Sequence, residues 1–434
     1  MASDNGDFIL SDGMHPADIA DALWRDVELP RAREIFESMS IEQGALVLAE
    51  SDDKLQAALL EERGPETIGE YLSYLSVDDG VDLLNILPPP LRLEALCFVE
   101  SDMATELRHL TSYPDESAGG MMTTEFISVT ENEEVGDVIR VIKGDDGEAE
   151  SVYVIFVVDR GNILQGVITT RELLELSSSD NVGEFMNPDV ISARVDEDRE
   201  EVARRILRYN LTLLPIVDAR NSIIGVVSSD DALEVVEEEG SEDALLLAGA
   251  SGDSDAGEPL LTMVGHRAPY LAIPVAAGLV ISKIMEYFSR DIVIDNSSYG
   301  MVVAFVPMVL ALSGTVGMQT SAVLVRGFAV GQIVKGRRLS VFLGELRLGI
   351  VLGALSALVA GPAMGLLIND FSTGAFLGLA LWLSVIWTNI AATSIVVGSE
   401  AAGLDPALVA GPIMIAVSDL SAVALFLGVA SSLI

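Results

Sequence analysis

The chain has 434 residues and a formal net charge of −41, yet its mean hydropathy is +0.44. So acidic a chain repels phosphate, which argues against a nucleic-acid partner. One cysteine, Cys97, rules out an intrachain disulfide and a cysteine-built zinc site.

Acidity and hydrophobicity separate along the chain. Eight Lys/Arg and eight Asp/Glu fall from Leu260 onward, so the first 259 residues carry the whole excess of negative charge. That is the pattern of a soluble acidic region joined to a membrane region. Only four of the 25 basic residues are lysine. An arginine-for-lysine, acid-coated surface suits concentrated salt, where self-repulsion is screened, so most acids are expected to be solvated. The histidines, His15, His109 and His266, are scattered and form no H-E-x-x-H pattern. The polar, acidic N-terminus has no signal-peptide character, so the soluble part is expected in the cytoplasm.

Residues 1–120 are expected to form an all-α helical superhelix with an interaction or regulatory role. DIADALWRDV, PRAREIFESM, IEQGALVLAE, DDKLQAALLEE, TIGEYLSYL, VDDGVDLLNIL and PPLRLEALCFV each place apolar residues three to four apart. Ser40, Ser51 and Ser76 offer N-caps.

Residues 121–237 contain a duplication. VVDRGNILQGVITTREL from Val157 matches IVDARNSIIGVVSSDDAL from Ile216, pairing Asp159 with Asp218 and Gly166 with Gly225 at one offset of 59 residues. Each copy reads strand, turn, strand, helix. Each follows a methionine-bearing lead-in (MMTTEFISV, FMNPDVISA) and an acidic helix start. The duplicated unit resembles a tandem CBS pair, an α/β module, with units at 121–180 and 181–237. That resemblance implies a regulatory role and often an adenine nucleotide such as ATP, with Ser228 and Asp231 of the SSDD stretch as candidate contacts. A pair that only dimerises has the same fold.

Residues 238–268 read as an acidic connecting helix and linker. Asp231, Glu234, Glu238 and Glu242 fall near one helical stripe, where like charges repel and favour a cation. SGDSDAGE at 251–258 reads as flexible.

Residues 269–434 are expected to be an α-helical membrane domain of five transmembrane helices, near 269–288, 299–325, 340–367, 373–398 and 406–432. Arg326, Lys335, Arg337 and Arg338 make the loop after the second segment cytoplasmic, which puts the N-terminal domains inside and the C-terminus outside. Pro274, Pro307, Pro362 and Pro412 are expected to break helices locally. Ser313, Thr315, Gln319 and Asn389 are candidate pore-lining residues, although hydroxyls and amides in spans serve more often as interhelical bonds. Asp419 sits mid-segment, where a carboxylate costs about 2.5–3.5 kcal/mol on the most lenient insertion scale, so it is expected to face a water-filled ion path. Asp405 stands at the mouth of the same segment.

In this order of parts the chain resembles the MgtE-type magnesium channel/transporter family. The resemblance rests on HPADIADAL, SYPDESAGGMMTTEFISV, the CBS-like pair, the acidic connecting helix, PMVLALSGTVGMQ and LDPALVAGPIMIAVSDL. It implies a homodimer in the cell membrane that passes Mg2+ inward and is closed by cytosolic Mg2+. By motif position it implies Asp419 and Asp405 as pore carboxylates. Asp198, Glu200, Asp231, Glu234, Glu239, Glu242 and Asp243 are implied as regulatory Mg2+ ligands. Two positions depart from the family pattern: Asn210 replaces an acid, and SGTVGMQ places Thr315 and Met318 where amides are usual.

Alternatives are the same scaffold carrying Co2+, Ni2+ or Zn2+, or a transporter gated by adenine nucleotide. The predicted spans hold no Cys or His, which favours a hard, oxygen-preferring ion. They also lack a Ser/His or paired catalytic set, so an enzyme is not expected.

Overall fold

The computed structural model describes residues 10, 13–25, 27–145, 149–252, 254, 260–291, 300, 302–333 and 335–433. Residues 1–9 of the first predicted domain, 253 and 255–258 of the predicted linker, and 299 of the second hydrophobic segment lie outside the described residues. The chain divides into two compact units, Met1–Val236 and Glu237–Ile434.

The first unit begins with short amphipathic helices: α1 (Pro16–Arg25), α2 (Leu29–Glu37), α3 (Ile41–Ala49), α4 (Asp53–Leu60), α5 (Pro65–Leu72), α6 (Val77–Ile86), α7 (Pro89–Ala95) and α8 (Ser101–Leu110). The last of these was not among the seven predicted segments. Its apolar stripe of Met103, Leu107 and Leu110 is short, and it follows the apolar Cys97–Val99 without a proline or glycine break. Ser40 caps α3 as expected, accepting from Gln43 N at 3.2 Å. Ser51 does not cap α4. Asp52 does, accepting from Leu55 N at 2.8 Å, while the Ser51 hydroxyl turns back to Val47 O. Ser76 precedes α6, but its hydroxyl donates to the Asp79 carboxylate and caps no backbone N–H.

Two matching three-stranded sheets follow: β1 (Ser128–Thr130), β2 (Val154–Val158) and β3 (Leu164–Thr169), then β4 (Ala193–Arg194), β5 (Leu213–Val217) and β6 (Ile223–Ser228). In each, the first strand runs parallel and the third antiparallel to the central one. Helices α9 (Val135–Gly144), α10 (Thr170–Glu175), α11 (Val182–Phe185), α12 (Arg199–Tyr209) and α13 (Ser229–Ala248) surround them. The duplication extends to side-chain roles. Asp159 Oδ1 accepts from Gly161 N and Ile163 N, and Asp218 Oδ1 accepts from Arg220 N and Ser222 N, so both hairpin turns are tied in one way. The methionine lead-ins cross over. A Cβ on Gly225 would lie 2.7 Å from Met122 Sδ, and one on Gly166 would lie 2.5 Å from Met186 Sδ. Each lead-in therefore packs on the other copy's hairpin, which joins the two copies into one body.

One apolar core runs from Phe36, Leu48, Leu84 and Leu107 into Val202, Ile206, Leu214 and Ile216 of the second copy. The helical layers and the sheets thus share buried surface, the main stabilising term in folding.

The second unit holds α14 (Leu260–Asp291), α15 (Val306–Ala329), α16 (Arg338–Ile368), α17 (Phe371–Ala401), α18 (Pro406–Ala410) and α19 (Pro412–Leu433). They supply five helical stretches long and apolar enough to cross a membrane, the last made of α18 and α19 together. Close packing of α16 on α17 depends on missing side chains, since a Cβ on Gly374 would sit 2.4 Å from Gly365 Cα. Two predicted proline breaks do not occur: α14 continues through Pro274 and α16 through Pro362. Neighbouring helices tolerate such freed carbonyls. Pro307 lies in the first turn of α15, where its missing N–H costs nothing. Pro412 starts α19 after a real interruption at Gly411. His266, placed outside the first span by its sequence, lies within α14.

Candidate functional site

Two polar sites stand out, one in each unit. The first is a convergence of acids. Helix α6 starts V-D-D-G-V-D, so Asp78, Asp79 and Asp82 leave its first turns on one side. Asp230 and Asp231 lie in the first turn of α13. Glu125 and Glu150 come together because Glu150 N donates to Glu125 O at 2.7 Å.

Their electrostatics show that they face one another. Asp82 keeps part of its surface in water, but its carboxylate lies low among packed atoms. That lost hydration, then Asp78, Asp79, Glu234 and Asp53, push it up to about 8. Burial, then Asp78, Glu106, Glu150 and Asp79, raise Glu125 to about 7. Burial, then Asp78, Asp231, Asp230 and Asp79, raise Glu150 to about 7. Asp231 rises to about 6 through burial, opposed by the Ser228 hydroxyl and reinforced by Asp78 and Asp230. Burial also raises Asp79. Charges brought this close repel unless a cation intervenes. Among the described residues no three His, Cys, Asp or Glu close into a direct coordination shell. The carboxylates are hard oxygen donors spread widely enough to suit an ion that keeps its waters, as Mg2+ does.

Of the residues singled out in the sequence, Asp231 and Glu234 belong to this convergence. Asp198 and Glu200 are engaged at the start of α12. Asp198 Oδ1 caps that helix on Glu200 N at 2.9 Å, and Glu200 pairs with Arg204 at 2.8 Å. Glu239, Glu242 and Asp243 lie further along α13, in the second unit, with Glu242 packed against Gly252. Ser228 is 2% exposed and its hydroxyl donates to Asp231 Oδ2 at 2.7 Å, so this pair is the cap of α13. Asn210 closes α12 in the left-handed conformation, at φ 51°. Asparagine tolerates that geometry, which gives the departure at this position a local structural reason. Sequence reasoning missed Asp78, Asp79, Asp82, Glu125 and Glu150. The signal available was the VDDGVD run, which doubles acids on one helix edge.

The second site lies in the membrane unit. Asp419 is on α19, and Ser313 of α15 donates to its Oδ1 at 2.7 Å and to Leu310 O at 3.1 Å. Gly314 brings the α15 backbone close, its Cβ position only 3.8 Å from Asp419 Oδ1. Among the described residues no Lys or Arg pairs with Asp419. Asp405 is exposed and caps α18, accepting from Ala407 N at 2.8 Å. Thr315 is exposed and bonds back to Ala311 O, Gln319 is exposed on the same helix, and Asn389 is buried against α15 and α16. The interruption at Gly411 is occupied from within this unit: a Cβ there would lie 2.5 Å from Leu246 O, at the C-terminal end of α13. Leu246 packs with Leu324, Val396 and Ala410.

Three family profiles match the chain: a divalent cation transporter domain over residues 306–429, an MgtE intracellular N domain over 14–116, and CBS domains over 118–179 and 182–238. The magnesium transporter MgtE of Thermus thermophilus is 30% identical over 97% of this chain and 93% of its own length. That of Bacillus subtilis is 26% identical over 98% of this chain and 93% of its own. The crystallised cytosolic domain of the Mg2+ channel MgtE in complex with ATP is 32% identical over 52% of this chain and 91% of that one, with a TM-score of 0.49.

Proposed function

The chain belongs to the MgtE family of magnesium transporters and is a multi-pass membrane protein, and from that premise we propose that it is a homodimer that imports Mg2+ and closes when cytosolic Mg2+ fills its acidic site. The observation that carries the transport reading is Asp419: a carboxylate within an apolar helix, held by a serine and paired with no base among the described residues. An intramembrane carboxylate of that kind marks an ion path. Two such side chains, one per subunit, would meet near the dimer axis and bind the water shell of Mg2+. Ser313 fixes the Oδ1 of each and leaves Oδ2 for that shell.

Gating follows from the first site. Bare, the acids of α6, the Glu125–Glu150 pair and the start of α13 repel. A hydrated Mg2+ among them removes the repulsion and favours the arrangement in which these elements touch. Helix α13 begins at that site, and its last turn occupies the Gly411 interruption of the pore-bearing span, so one helix joins sensor to pore. The ligand prefers one of two states and thereby shifts the population. The N-terminal domains then lie in the cytoplasm and the C-terminus outside.

The test is Mg2+ uptake into liposomes by the wild type and Asp419→Asn, at fixed ionic strength, with internal Mg2+ varied. Wild-type flux that falls as internal Mg2+ rises, with the variant inactive or unselective, is the expected result. Undiminished flux through Asp419→Asn overturns the pore assignment. Flux indifferent to internal Mg2+ overturns the gating assignment.

A further inference from the structure

A second polar cluster in the membrane unit is separate from Asp419. Glu345 stands seven residues into α16 from Arg338, about 10 Å along the helix, and is half-buried. Among the described residues its hydrogen bond is to Asn389 of α17, whose Nδ2 donates to Glu345 Oε2 at 3.5 Å and to Thr320 Oγ1 of α15 at 2.9 Å. Arg338 on the same helix is committed to Glu400. Arg347 is exposed and, two residues along, projects away from the Glu345 side.

Asn389 is 0% exposed, and its Oδ1 has no hydrogen-bond partner. That oxygen lies beside Gly349, one helical turn beyond Glu345: a Cβ at 349 would sit 2.9 Å from Asn389 Cβ and 3.3 Å from Oδ1. The glycine is what admits the amide between the helices. Three helices thus bring together one carboxylate, one hydroxyl and one amide with an unused oxygen, in apolar surroundings. A carboxylate with no cationic partner among the described residues and an orphaned amide oxygen are both costly there, and one cation near both offsets both costs.

We infer that Glu345, Asn389 and Thr320 form a site for a monovalent cation of the size of Na+. The donors are all hard oxygens. The site carries one negative charge, so a monovalent ion makes it neutral, whereas a divalent ion leaves an uncompensated positive charge in low dielectric. Mg2+ also gives up its waters reluctantly, and an amide packed against Gly349 leaves no space for a full water shell. The ion ties α15, α16 and α17 together beside the transport path, independently of which ion that path carries.

The experiment is thermal unfolding of the detergent-solubilised full chain in EDTA, with choline chloride exchanged for NaCl at constant ionic strength. Choline screens surface charge equally but is too large for the site. The wild type is expected to gain about 3 °C or more as Na+ rises through saturation. E345Q keeps the side-chain shape and removes only the charge, so it folds and loses that gain. Gly349→Ala, which displaces the amide while leaving every charge in place, loses it too. A wild type indifferent to the exchange, or an E345Q protein with the full Na+ response, overturns the site.

Discussion

Asp82→Asn is the substitution that most directly separates repulsion from ordinary packing in the acidic site. Burial and then four neighbouring acids raise the Asp82 carboxyl from the usual 3.8 to about 8. A group whose pKa is raised on folding contributes stability below its unfolded value and loses it as pH climbs through the folded value. The loss for Asp82 therefore spreads from about pH 4 to about pH 8. Taken at face value the shift amounts to about 6 kcal/mol. Part of the side chain is in water, so solvent screening reduces this to about 1–2 kcal/mol. In EDTA at pH 8 the variant should melt about 3–6 °C above the wild type. At pH 5, where less of that loss has accrued, the gap between the two should be smaller. Added Mg2+ should reverse the order at pH 8, because the wild type gains an ion that the variant binds less well. The assay is thermal unfolding of the full chain at constant ionic strength. An equal gain at pH 5 and pH 8 would refute the reasoning, because it would trace the effect to packing.

Ser313→Ala removes a hydrogen bond to a charged acceptor, worth about 1.5–3 kcal/mol, so Mg2+ flux should fall by about tenfold or more and the purified protein should melt a few degrees lower. Gly411→Val places side-chain atoms where Leu246 O now lies, 2.5 Å from the glycine's Cβ position. Internal Mg2+ should then suppress flux less, read as a rightward shift of the inhibition curve. Gly225→Ala would crowd Met122 Sδ and, at 2.8 Å, Thr123 O. Overpacking of this kind costs about 1–3 kcal/mol, and chemical denaturation should show it with no change in the ion selectivity of the remaining flux.

Parts of this arrangement were legible in the sequence because a single physical rule sufficed. The cost of a charge in hydrocarbon singled out Asp419 without any knowledge of its neighbours. The offset between Asp159 and Asp218 announced the duplicated sheets, and both aspartates tie their turns alike. Other parts depend on which surfaces meet. Asp78, Asp79 and Asp82 read as one wet edge of an amphipathic helix in a chain with 66 acids; only the fold turns that edge toward Glu125, Glu150 and the start of α13. Asp198 and Glu200 looked like part of the same acidic set. In the fold the first caps α12 and the second pairs with Arg204. Glu345 went unnoticed because its significance lies in Asn389 and Gly349, on another helix and one turn away.

Adaptation to concentrated salt would account for acids spread over a wet surface but not for those at the acidic site. Where the first unit has acids near its packed elements, it supplies arginines: Arg33 to Glu61, Arg63 to Glu37, Arg199 to Glu116 and Arg205 to Glu197. At Asp82, Glu125 and Glu150 the groups that act most strongly are all acids, and at Asp231 they are acids and the Ser228 hydroxyl. A solvating coat places carboxylates where water is plentiful. Here Asp78, Asp79, Glu125 and Asp231 are half-buried beside the exposed Asp82 and Glu150, and among the described residues no arginine pairs with any of them. Such a cluster lowers the stability of the bare fold, and a surface built only for solubility would gain nothing from it. It becomes useful when its occupant varies in concentration, since the repulsion then makes assembly of α6 and α13 conditional on the cation. A Mg2+ titration at fixed ionic strength distinguishes the two origins directly: screening relieves a coat with any salt, whereas the acidic site should respond to millimolar Mg2+ when the ionic strength does not change.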